Sequence, residues 1–174
     1  MIRHLAILIL SVIAFQAAPA YGQVQHEHDL TVYVPPAMSL RALRPDQSVT
    51  HPETPADITM SNSLWWATTS SATGSTIRFT SDTPFINQDR PSYKRDVRLH
   101  SPRLFGNPSA GWSFDTTTDQ TDYAAGDDQA VVQISGTGPG IALIFLQVTF
   151  ITGNVATLAG GDYEVTVVGT ITAN

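Results

Sequence analysis

The last run of the chain constrains its fold more than any other stretch. Tyr163, Val165, Val167, Gly169, Ile171 and Ala173 share one parity, while Glu164, Thr166, Thr170 and Thr172 share the other. A two-residue period of that length specifies an extended strand with one face buried and one face wet. Val168 is an apolar residue on the wet parity, and Gly169 beside it marks a bulge or a close approach of another chain segment. The preceding run, Ile141 to Thr152, is apolar on both parities through its first half and alternates again through Gln147 and Thr149. Such a strand is either central and covered on both sides or presents one face to another molecule. The expectation is a covered strand, with the two runs facing each other across their glycine-containing connection.

Met1 to Gly22 reads as a secretory signal: Arg3 and His4 form the charged start, Leu5 to Phe15 the apolar core, and Ala18-Pro19-Ala20 the small-residue cleavage site. The apolar run is too short to span a bilayer, so cleavage is expected after Ala20 or Gly22, leaving residues 23–174 as one domain without a transmembrane span. Losing Arg3 makes the formal charge one unit more negative than the −6 of the full chain. With no cysteine, a disulfide framework, a thiolate metal site and a lipid-modified cysteine are all excluded. The expected product is exported to the periplasm, the cell surface or beyond, and is held together by its core alone.

The remaining pattern is that of short strands. Leu30 to Val34 alternates and stops at Pro35-Pro36, a natural first strand. Met38 to Leu43 and Ala56 to Met60 are weaker strands around a proline-rich loop. Trp65-Trp66 and the residues after them form the next, and Ser70 to Gly74 is read as the turn of a hairpin to Ser75–Thr80. Tyr93 to His100, Gly111 to Asp115 and Ala130 to Ser135 alternate as well. No helical period is sustained outside the signal. About eight to ten short strands predict an all-β, two-sheet sandwich of the immunoglobulin-like kind, preceded by a signal-peptide helix.

Five features carry potential chemistry, each with a plainer alternative. His26 and His28 flank Glu27 as a copper or zinc chelate, or as an exposed polar start. Asp115, Asp119, Asp122, Asp127 and Asp128 supply the oxygen ligands calcium takes, but in no EF-hand spacing, and are equally ordinary loop residues. Arg90, Lys94, Arg95, Arg98 and Arg103 form a basic cluster for an acidic polysaccharide or for the acidic loop of another copy, or else a solvated strand face. Trp65 and Trp66 must point to opposite faces of an extended segment, so one of them is a stacking or docking platform unless a loop covers it. Gly136-Thr-Gly-Pro-Gly140 lacks the lysine of a phosphate loop and reads as a turn. No catalytic signature occurs, no cofactor is expected, and an acidic exported chain is not a nucleic-acid binder.

The ending Leu158-Ala-Gly-Gly-Asp-Tyr163, followed by an alternating strand to Asn174, resembles bacterial exported β-sandwich surface proteins of the spore-coat-U and pilin-like kind. The resemblance covers Ala130 to Asn174. It implies an immunoglobulin-like surface or fibre subunit, and the chain departs from it in having no cysteine pair and Ala173 as penultimate residue. The functional expectation is a non-catalytic structural or adhesive protein of a bacterial envelope or matrix, associating with its own copies or with other surface proteins. Head-to-tail pairing of the basic and acidic clusters would supply the contact. The alternative is a carbohydrate-binding module that uses the exposed tryptophan, with or without calcium.

Overall fold

A computed structural model describes residues 31–44 and 46–174. The expected signal segment, His26 and His28 lie outside the described residues. Among the described residues thirteen strands follow one another: β1 (Met38–Ala42), β2 (Ile58–Thr59), β3 (Ser63–Thr69), β4 (Ser75–Ser81), β5 (Phe85–Asn87), β6 (Lys94–Arg95), β7 (Val97–Gly106), β8 (Ser113–Thr116), β9 (Thr118–Gln120), β10 (Ala130–Gly136), β11 (Gly140–Phe150), β12 (Tyr163–Glu164) and β13 (Val168–Ala173). No described helix is long and apolar enough to cross a membrane.

The chain is all-β and its sheets are antiparallel. The largest runs β1-β3-β11-β7-β9, with β2 also on β11; a second runs β13-β4-β10-β8; a small third runs β12-β5-β6. Alternation sorts the side chains of the first two sheets. Ala67, Leu99, Ala142, Ile144 and Leu146 from the large sheet meet Ile77, Phe79, Val132 and Ile134 from the second in one core. Trp65 closes it edge-on against Phe79, with ring centroids 5.0 Å apart. Gly169 is a close approach: a Cβ there would lie 2.8 Å from Trp65 Cζ3.

Several expectations change. Residues 31–37 form no strand, and Val32, Tyr33 and Val34 are exposed; alternation alone does not make a strand where no partner strand lines up. Trp65-Trp66 and Ser75–Thr80 form no hairpin, because β3 pairs with β1 and β11 while β4 pairs with β10 and β13. Ser70–Gly74 is an arch that carries the chain from one sheet to the other, so that Phe79 faces Trp65 across the core instead of lying beside it. The last run is also broken: β12 pairs with β5 and β13 with β4, and Val165 and Val167 between them pack on the core.

Candidate binding surface

β11 is central in the large sheet, yet among the described residues only one of its faces is covered. Ala142, Ile144 and Leu146 are buried, whereas Ile141 is 43% exposed and Leu143 and Phe145 are half-buried. Register assembles the open face. Leu143 stands opposite Trp66 of β3 on one side and opposite Phe105 of β7 on the other. Phe145 stands opposite Leu64 and Arg103, and Trp66 opposite Arg41 of β1. The result is an apolar strip across four strands, Arg41–Trp66–Leu143–Phe105, with Trp66 37% and Phe105 54% exposed. Phe105 and Phe145 meet edge-on at 5.7 Å. Strands lie about 4.8 Å apart, which sets Trp66 and Phe105 roughly 10 Å apart across Leu143.

A bulge limits the strip. Gln147 pairs with His100 but Phe145 with Arg103, so β7 carries an extra residue between them. Pro102 sits in that irregularity, where no ladder hydrogen bond is lost. Ser101 Oγ donates to Phe145 O at 2.7 Å and anchors the bulge. Beyond it the face turns polar, with His100, Gln147, Arg98 and Gln120.

Trp65 and Trp66 therefore part company, the first into the core and the second outward. The basic cluster does not form one patch. Arg95 is 7% exposed, and its guanidinium donates to Lys94 O at 2.8 Å and Thr157 Oγ1 at 3.0 Å. This corrects its expected place on a docking surface; it shares the parity of Val97 and Leu99, so it points inward. Arg90 is exposed and Lys94 half-buried, while Arg103 joins the apolar strip. Arg98 donates to Gln120 Oε1 at 2.9 Å and lies 3.8 Å from Asp57.

The acidic residues hold backbone and side chains within the subunit. Asp119 accepts from the amides of Gln120 at 2.9 Å and Val131 at 2.8 Å. Asp115 accepts from Gln133 and Ser135. Asp122 accepts from the Ala125 amide, closing a turn against Asp127, and Asp127 accepts from the Gln129 amide. Asp128 is exposed. Among the described residues no three acidic or histidine side chains converge to hold a metal, so the calcium arrangement does not assemble. β9, which carries Asp119, pairs with β7 through Arg98 and Leu99: the acidic and basic segments are neighbours in one subunit.

Phe105 is the residue that sequence reading missed. Continued alternation would give it the buried parity of Val97 and Leu99; the extra residue at the bulge reverses the parity and turns it outward, and nothing in the sequence but Pro102 marks that bulge. Comparisons with protein-family models, with curated proteins and with solved structures returned no match for the chain.

Proposed function

We propose that the chain is an immunoglobulin-like sandwich acting as a non-catalytic, exported structural or adhesive protein of a bacterial envelope or matrix, and that it associates with a second copy of itself. The contact is the outer face of β3, β11 and β7. The observation that carries this reading is the solvent-open apolar parity of β11, flanked by Trp66 and Phe105. Crossing between sheets at Ser70–Gly74 and again between β10 and β11 supports the immunoglobulin-like reading.

The chemistry of the strip favours protein over sugar. Its centre is aliphatic, with Ile141, Leu143 and Leu64 beside the aromatic rings, and the polar Arg41 and Arg103 stand at its margins. A twofold axis parallel to the strands reverses the strip, setting Arg41 of each copy over Phe105 of the other, a cation–π arrangement. This contact replaces head-to-tail charge pairing, whose acidic half is already engaged within the subunit.

Sedimentation velocity on residues 23–174, from micromolar to several hundred micromolar at low and high salt, tests the reading. An apolar contact gives dimers that persist or strengthen as salt rises; dimers that dissolve in salt return the contact to the charged clusters. A monomer throughout removes self-association. If glycans then shift the tryptophan emission of that monomer, the carbohydrate-binding reading takes its place.

A further inference from the structure

At the other end of β11, past the apolar strip, the segments 47–60 and 155–164 stand apart over a cleft of about 790 Å³. A bay of about 320 Å³ adjoins it and shares Met60, Phe85, Tyr163 and Glu164 with it. The floor is aromatic. Phe150 meets Phe85 at 5.1 Å, Tyr163 at 5.4 Å and His51 at 5.7 Å, each edge-on.

The partners of the His51 ring fix its orientation. Thr152 Oγ1 donates its proton to Ala56 O at 2.7 Å, so in its 3.0 Å contact with His51 Nε2 it must accept, and Nε2 carries the hydrogen. Nδ1 is then the acceptor for the Glu53 amide at 2.9 Å. That bond holds Glu53 at φ +56, a left-handed conformation uncommon for a residue other than glycine. The loop that forms one wall is thereby fixed with the Glu53 carboxylate at the rim.

The charge around this apolar floor has one sign. Asp46, Glu53, Asp162 and Glu164 line the cleft and its bay, and among the described residues no lysine or arginine does. The Asp46, Glu53, Asp162 and Glu164 side chains form no hydrogen bond or ion pair with the described residues. Between them the walls are apolar, with Val49, Ile58, Met60 and Leu158 lining the cleft.

We propose that this cleft binds a small organic ammonium ion with an apolar body. The apolar part lies against Val49, Ile58, Met60 and Leu158, and the cationic head meets the carboxylates of Asp162 and Glu164. The site is separate from the apolar strip and does not depend on self-association.

The test compares three probes of nearly equal size on the intact domain: phenethylammonium, neutral 2-phenylethanol and anionic phenylacetate. Amide-resolved NMR titration follows Tyr163, Glu164 and His51. The expected result is that phenethylammonium shifts these resonances with an affinity about tenfold above that of 2-phenylethanol, and that phenylacetate gives no shift. In the double variant Asp162→Asn/Glu164→Gln, whose positions are exposed and whose fold is checked by the rest of the spectrum, the ammonium should fall to the affinity of the alcohol. The proposal is overturned if the alcohol or phenylacetate binds as well as the ammonium, if the double variant binds it unchanged, or if no probe moves the cleft resonances at millimolar concentration.

Discussion

Leu143 and Ile144 are consecutive on β11 and face opposite ways, so substituting each separately tests the assignment of the open face. Ile144 is 0% exposed in the core. Ile144→Ala removes roughly three methylene equivalents at about 0.8 kcal/mol each, and the cavity left behind brings the cost to about 3–4 kcal/mol. In a domain of this size each kcal/mol moves the Tm by about 2–4 °C, giving a fall of roughly 6–16 °C. Leu143 is half-buried, with Trp66 and Phe105 as its cross-strand neighbours. Leu143→Glu weakens two such pairs, each about 0.2–1 kcal/mol, and leaves its carboxylate in water, so the Tm should fall by roughly 1–8 °C, about half the fall for Ile144→Ala or less. Association responds in the opposite order. A twofold contact buries the new carboxylate of both copies against an apolar face, at an expected cost of at least about 3 kcal/mol, more than a hundredfold in Kd. Calorimetry and sedimentation on the same samples read both effects. If Leu143→Glu lowers the Tm as far as Ile144→Ala, the outer parity of β11 is covered and the assignment is wrong. If it leaves dimerisation intact, the strip is not the contact.

Two further substitutions probe what holds the sandwich. A Cβ on Gly136 would lie 2.8 Å from Trp112 Cε3, while Gly106 meets the same indole at its Cδ1 edge; Gly136→Ala should therefore cost about 1–3 kcal/mol, and an unchanged melting curve would mean that the ring has room to move. Asp119→Ala removes the acceptor of two backbone amides at 2.9 and 2.8 Å and should cost about 1–3 kcal/mol, with Asp119→Asn recovering part of it; chemical denaturation of the three proteins orders them.

What was legible in the sequence is what depends on local sterics. Period-2 runs located β10, β11 and β13 because side-chain alternation is a property of the extended backbone itself. Pairing is not local. Ser70–Gly74 has the composition of a hairpin turn, and nothing in those residues distinguishes a hairpin from an arch between sheets; the choice is made by Phe79 finding Trp65 across the core. For the same reason Leu30–Val34 alternates as well as any strand in the chain, yet residues 31–37 form none. The cleft was illegible on the same grounds. Its walls come from segments joined by contacts such as His51 to Thr152, 101 residues apart, and its aromatic floor from β5, β11 and β12 in two different sheets.

Charge misled where parity would have informed. Five basic residues close in sequence suggested a patch, but Arg95 has the parity of Val97 and Leu99 and is buried with them. The acidic stretch suggested a ligand set, but β9 lies beside β7, so the carboxylate of Asp119 holds its own backbone and Arg98 bonds to Gln120 next to it. Groups paired inside a subunit have little left to offer a partner, because a second interaction must first break the existing one. By that criterion the proposed contacts lie elsewhere. They are the parity of β11 whose apolar side chains have no cover among the described residues, and the cleft whose carboxylates have no protein partner among them. Both are places where the folded chain leaves its own chemistry unsatisfied, and there a ligand or a second copy can add contacts without displacing any.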